Sequence, residues 1–196
     1  PAHLADPRYP WAVTAGGMDF GTVHPSAITV GSLTRPDPKT GLGDVWVREA
    51  LLDTSGNLDW IWATKKQLTR DMHVSLWGAD PMVKYNPTFL EAEAMSGSLF
   101  AREARVGICN GAAQSRRLFF DKSNPRIRVL FESIQRVHRK RNANGQVTYA
   151  RVDDDGPASW EDMMAMLLGQ PLLNLSRRQQ LPPRYQRQMV TPRSAS

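Results

Sequence analysis

Residues 16 to 31 read GGMDFGTVHPSAITVG, and this stretch decides the reading of the whole chain. Small and apolar residues surround one carboxylate, Asp19. Residues 12–19 (AVTAGGMD) read as a strand, FGTVHP as a turn, and residues 26–34 (SAITVGSLT) as a second strand. An acid inside an apolar strand is costly to bury, and such acids are normally paired or bound to a metal. Asp19 is therefore the first candidate for chemistry.

Working outward, residues 44–52 (DVWVREALL) form a third apolar stretch after the Pro/Gly-rich loop RPDPKTGLG, which completes a meander. DTSGNLDWIWATKKQLTRDM carries Leu58, Ile61, Trp62 and Leu68 near helical spacing, with Asn57 or Ser55 as cap. HVSLWGADP reads as a short buried strand ending at Asp80. NPTFLEAEAMSGSLFARE is predicted as a second helix and ARVGIC as a fifth strand. GAAQSRRLFFD and NPRIRVLFESIQRVHRK are predicted helices, the latter turning to strand near its end. RKRNANGQVTYARV reads as a β-hairpin with its turn at NANG. SWEDMMAMLLG reads as a short apolar helix with Ser159 at its N-cap and Gly169 at its C-cap. A meander followed by alternating helices and strands predicts an α/β fold, a mixed sheet of about five strands covered by helices, with an added hairpin. Residues 1–10 read as a linker, 11–170 as one domain, and 171–196 as a basic, Pro-rich flexible tail. No internal repeat is visible.

A chain of 196 residues can bury a full core without disulfides. Its single cysteine, Cys109, excludes an internal disulfide and fits a reducing, intracellular setting. No apolar run approaches the roughly 20 residues that span a bilayer, and the N-terminus lacks a signal-peptide pattern. The net charge of +6 is uneven. Residues 1–100 hold 8 Lys and Arg against 11 Asp and Glu, net −3; residues 101–196 hold 17 against 8, net +9. That asymmetry points to a polyanion such as nucleic acid.

Two acids end predicted strands, Asp19 and Asp80. If those strands are parallel neighbours, both carboxylates meet at the strand ends, where open α/β sheets place ligands. Like charges so close require a proton or a cation between them, and carboxylate-only sites suit Mg²⁺ or Mn²⁺. A third acid would come from VDDDGPASWEDMMAML, which offers Asp153, Asp154, Asp155, Glu161 and Asp162. Structural roles compete at each position. Asp19 can accept hydrogen bonds from the Gly21–Thr22 turn, Asp80 before Pro81 is a turn pair, and DDDGP is a turn sequence. Asp162 can serve the helix dipole in a first turn. Other chemistries find no support. His3, His24, His73 and His138 are scattered, Cys109 has no CxxC partner and reads as a buried thiol, and no phosphate-cradling GxxxxGK[ST] loop occurs.

In order and spacing, these segments resemble the nuclease domain of the large terminase subunit of tailed bacteriophages, a ribonuclease H-like domain. GGMDFGTVHPSAITVG resembles its first motif, an Asp in strand one followed by a Gly-containing turn, a Pro and a small-residue strand. VSLWGADP resembles the second, a strand ending in an acid. SWEDMMAMLLG is similar to the third, an acidic pair opening a helix near the domain's end. RLFFDKSNPRI and RKRNANGQVTYARVDDDG match the usual run into that motif. The resemblance spans about residues 10–170. It departs in the third motif, where many members have a His between the acids and this chain has DDDGPASWED.

The resemblance implies a metal-binding catalytic triad of Asp19, Asp80 and Asp162, with Asp154, Asp155 and Glu161 as alternatives or auxiliaries. It implies hydrolysis of double-stranded DNA phosphodiesters assisted by two ions, Mg²⁺ or Mn²⁺. Arg116, Arg117, Lys122, Arg126, Arg128, Arg136, Arg139, Lys140, Arg141 and Lys84 would contact phosphates, with the Asn142–Gly145 hairpin tip flanking the cleft. It further implies an ATPase domain ahead of residue 1 with residues 1–10 as connector. The small terminase subunit and the portal are its implied partners, the host cytoplasm its implied location, and concatemeric viral DNA its implied substrate. Two other readings stay open on sequence: another ribonuclease H-like nuclease acting on junctions or RNA–DNA hybrids, and a non-catalytic basic nucleic-acid-binding domain.

Overall fold

The fold is described from a computed structural model, which covers residues 11–20, 25–55, 57–79, 91–95, 99–137, 139–141, 147–149 and 155–168. Its elements run β1 (Trp11–Asp19), β2 (Ser26–Thr34), β3 (Val45–Asp53), α1 (Leu58–Asp71), β4 (Leu76–Ala79), β5 (Glu93–Ala94), α2 (Leu99–Gln114), β6 (Leu118–Phe120), α3 (Pro125–Arg136), β7 (Arg139–Arg141), β8 (Val147–Tyr149) and α4 (Asp155–Leu168). A six-stranded mixed sheet has the order β5-β4-β1-β2-β3-β6, and β7 and β8 pair antiparallel as a separate two-stranded sheet.

β1, β2 and β3 form the predicted antiparallel meander. β4 joins the free side of β1 in parallel, with Gly17 paired to Gly78 and Met18 to Ala79. α1 begins where predicted, because the Asn57 side chain accepts from the Asp59 N–H at 2.9 Å. Asn124 caps α3 in the same way, with Pro125 in its first turn, where a missing N–H costs nothing.

The sheet separates two apolar layers. On one face Met18, Ile28, Val30, Trp77 and Ala79 pack with Ile61 and Leu68 of α1. On the other, Ala15, Val45, Val47 and Ala50 pack with Cys109 and Ala112 of α2, Ile127 and Leu130 of α3, and the whole inner length of α4. α4 is buried on every side from Ser159 to Leu167, which is why its sequence is apolar all round.

Several expected elements are corrected. ARVGIC is not a strand: Ala104–Cys109 lie inside α2, whose Arg102, Arg105, Cys109 and Ala112 recur at helical spacing. The predicted helix over GAAQSRRLFFD is the end of α2 followed by β6, which pairs with β3 at the sheet edge. The predicted helix from residue 86 holds β5 instead, and α2 starts only at Leu99. Ser159 is not an N-cap, since α4 starts four residues earlier at Asp155 and accommodates Pro157 in its first turn. The expected mixed sheet of about five strands is present, with six strands counting the two-residue β5. Residues 1–10 and 171–196 lie outside the described residues. Among the described residues no helix is long and apolar enough to cross a membrane.

Candidate functional site

Side chains alternate across a strand, so the faces of β1 and β2 can be read from their contacts. Ala15 and Gly17 of β1 face α4, as do Thr29 and Gly31 of β2. Continuing by two residues brings Asp19, Ala27 and Leu52 onto the same face. Register joins these three into one row, Asp19 beside Ala27 and Ala27 beside Leu52. This row is the last before β1 ends. Asp19 is half-buried, Ala27 is buried, and Leu52 is 49% exposed, so the row opens toward solvent on the β3 side.

α4 lies directly on this face because two strands present glycine to it. A Cβ on Gly17 would collide with the Ser159 carbonyl and lie 2.5 Å from the Met163 nitrogen. A Cβ on Gly78 would lie 2.9 Å from Met166 Cγ and 3.3 Å from the Asp162 carbonyl oxygen. The direction of α4 follows from the same contacts. Met163 sits at Gly31, which pairs with Ala15, whereas Ser159 sits at Thr29, which pairs with Gly17. Asp162 and Met166 sit at Gly78, which also pairs with Gly17, so α4 crosses the strands, with Ser159 over β2 and Asp162 and Met166 over β4. Asp155 is the first residue of α4 and occupies the same helical row as Ser159 and Met163.

Glu161 and Asp162 look elsewhere. Both are buried, and both meet arginines of α2. Arg102 grips Glu161 with Nε 3.1 Å from Oε2 and Nη2 3.4 Å from Oε1. Arg105 Nε lies 3.2 Å from Asp162 Oδ1. Neither acid is in the first turn of the helix, so the helix-dipole role expected of Asp162 does not apply. Their charges are balanced by guanidinium groups instead. Cys109 lies in this layer. Burial pushes its thiol well above the ordinary range and the Glu161 charge adds to that, which disfavours the nucleophilic thiolate.

The basic residues fall into separate groups. Arg117 Nε donates to the Gly43 carbonyl at 2.9 Å, and Arg126 pairs with Glu49 at 3.3 Å. The Lys122 ammonium lies 4.0 Å from the centre of the Phe131 ring. Arg116 and Arg128 are exposed. Arg139, Lys140 and Arg141 form β7, of which only the backbone is described, as is true of Asp155. Asp80, Lys84, Asp153, Asp154 and the Asn142–Gly145 turn lie outside the described residues. Among the described residues no three His, Cys, Asp or Glu side chains converge as a metal site.

Sequence reasoning missed Arg102 and Arg105, because their segment was divided between a predicted helix and a predicted strand. The signal was their i, i+3 spacing ahead of an apolar face. It also missed the buried Thr29–Ser159 pair, for which a single sequence holds no signal.

No protein-family model matches the chain, and no curated protein matches it in sequence. Its fold matches solved structures. The large terminase of the thermophilic bacteriophage D6E superposes with a TM-score of 0.63 at 11% identity, over 81% of this chain and 40% of that one. The large terminase nuclease of the thermophilic phage G20c gives 0.60 at 15% identity, over 79% and 82% of the two chains. The nuclease domain of the large terminase g2p of bacteriophage SPP1, solved with bound Mn, gives 0.56 at 15%, over 83% and 88%. The chain thus has the ribonuclease H-like fold of terminase nuclease domains and spans about 40% of the D6E chain.

Proposed function

We propose, from a fold shared with the nuclease domains of phage large terminases, that this chain is a divalent-metal-dependent endonuclease of viral genome packaging. It would cut double-stranded concatemeric DNA, within a longer protein that also carries an ATPase domain and works with a small terminase subunit and a portal. The observation that carries the reading is the parallel pairing of β1 with β4. Gly17 pairs with Gly78, and each glycine stands two residues ahead of an aspartate, Asp19 and Asp80. Two neighbouring parallel strands thus lead into acids at their C-terminal ends, where α/β sheets bind ligands.

The donor set fits a hard divalent ion, since it consists of carboxylate oxygens. Asp19 and Asp80 would hold a pair of Mg²⁺ or Mn²⁺ ions. For the third acid we favour Asp155 over Asp162, Glu161 and Asp154. From the level of Gly17 and Ser159, Asp19 lies two strand residues onward, about 7 Å. Asp155 opens α4, one helical turn, about 6 Å, ahead of Ser159. Asp162 and Glu161 point toward α2 and already have arginine partners. When bound, such ions polarise the scissile phosphate and make a water more acidic. The protein's own part is to fix the carboxylates, to hold the duplex by phosphate contacts from exposed cations such as Arg116 and Arg128, and to keep α4 seated on the strands.

Plasmid digestion with Mn²⁺, with and without EDTA, tests this reading. Wild type should cut only with metal, and Asp19→Asn, Asp80→Asn and Asp155→Asn should each abolish cutting. Undiminished cleavage by Asp19→Asn would sink it.

A further inference from the structure

Among the described residues, the buried face between sheet and α4 holds a polar contact that packing does not require. Thr29 Oγ1 lies 2.8 Å from Ser159 Oγ, and both residues are at most 1% exposed. Ser159 Oγ also donates to the Gly156 carbonyl at 2.8 Å. A serine hydroxyl has one proton, so Ser159 accepts from Thr29, and the hydroxyls form a directed chain from β2 to the first turn of α4. Around them the interface is apolar or glycine. Valine and alanine would fill the same volumes, and exchanging both partners of a hydrogen bond for apolar groups of the same shape is close to neutral in stability.

What the hydroxyl chain adds over valine and alanine is direction. Apolar contacts let a helix slide and rotate at small cost, whereas a linear hydrogen bond between short side chains fixes one point of α4 against one point of β2. That point is one row inside the Asp19–Ala27–Leu52 row and one helical turn inside Asp155. Gly17, on the other side of Ser159, sets the height of α4 above β1. Together these contacts fix height, slide and rotation where the helix crosses β1 and β2, one row inside Asp19.

We infer that Thr29 and Ser159 are positioning residues, which set the head of α4 relative to Asp19 and thereby the affinity of the acid cluster for a divalent ion. The inference rests on the metal-site reading proposed above. Its test uses the full 196-residue chain, with Mn²⁺ binding followed by calorimetry and by the Mn²⁺-induced rise in melting temperature. Thr29→Val and Ser159→Ala are each expected to keep the fold by circular dichroism and to weaken Mn²⁺ binding about tenfold, the scale of outer-shell changes at metal sites. The double variant should be no weaker than either single one, because both remove the same bond. Thr29→Ser, which keeps the hydroxyl, should restore wild-type binding. If Thr29→Val does not fold, Ser159→Ala, which removes one oxygen, carries the comparison. Unchanged Mn²⁺ affinity in the folded variants overturns the inference, and so does an equal loss in Thr29→Val and Thr29→Ser. Asp19→Asn separates the two levels. If it binds Mn²⁺ as wild type does, the metal-site reading itself fails; if it loses binding while Thr29→Val does not, only the positioning role fails.

Discussion

Arg105 Nε stands 3.2 Å from Asp162 Oδ1 across the contact between α2 and α4, and both side chains are largely shielded from water. A buried pair of this kind is costly to break from one side, because the remaining charge is left in low dielectric; removing one partner typically costs about 3–5 kcal/mol. Asp162 therefore has a structural account that does not involve a metal. Asp162→Asn is expected to lower the unfolding free energy, at the low end of that range because Asn keeps a hydrogen-bonding oxygen. Below its own melting point it should keep Mn²⁺ binding. Asp155→Asn is expected to do the reverse. Chemical denaturation and Mn²⁺ calorimetry on both variants check this. Loss of Mn²⁺ binding in a well-folded Asp162→Asn protein would return the third ligand to position 162.

The close seating of α4 gives a second prediction. Gly17→Ala places a methyl group against backbone atoms of Ser159 and Met163, which cannot rotate away. Overpacking of this severity is expected to destabilise by about 3 kcal/mol. Gly111, exposed in α2 with open space at its Cβ position, takes the same substitution with the opposite sign, a gain of about 0.5–1 kcal/mol from higher helix propensity. Urea denaturation of the two variants reads both signs. A Gly17→Ala protein as stable as wild type would mean that α4 sits farther from β1 than described.

What the sequence disclosed and what it hid follow one division. β2 was legible to its end residues, and β1 and α1 nearly so, because the Asn57 cap and the apolar runs are local signals. The antiparallel pairing of β7 with β8 was legible from the alternating residues on either side of NANG. Residues 104–109 misled because Val106 and Ile108 alternate as in a strand, while the face that decides them is completed by α4, far along the chain. Leu118–Phe120 misled for the same reason, since its partner is β3. The head of α4 was misplaced because Ser159 is a good cap residue in isolation, yet its hydroxyl is spent on Thr29 and Gly156. That shift by four residues put Glu161 and Asp162 in the expected first turn, where the helix has Asp155. The arginines holding Glu161 and Asp162 could be found only once α2 was a helix.

Cys109 offers a probe of the same core. Its folded pKa is raised, so the thiol stays protonated at a pH where an ordinary thiol is half ionised. Because the thiolate is the reactive species, native protein at mildly alkaline pH should not react with Ellman's reagent, and the single thiol should appear in full in guanidinium. Ready labelling of native protein would show that α2 does not cover this position.

The basic residues predict how the chain meets DNA. Arg117 is tied to the Gly43 carbonyl and Arg126 to Glu49, so each has a structural task. Arg128 is exposed on α3, one residue from the buried Ile127 that anchors that helix to the core. A phosphate contact by Arg128 would release counterions, so Arg128→Ala should weaken duplex binding and reduce the slope of log K against log salt by about 1. Arg117→Ala should leave that slope unchanged and lower the melting temperature instead. Fluorescence anisotropy with a labelled duplex over a salt series, beside thermal melts, measures both. If Arg128→Ala binds with the wild-type slope, the phosphate path does not cross α3, and the duplex must be carried by the β7–β8 hairpin and other cations.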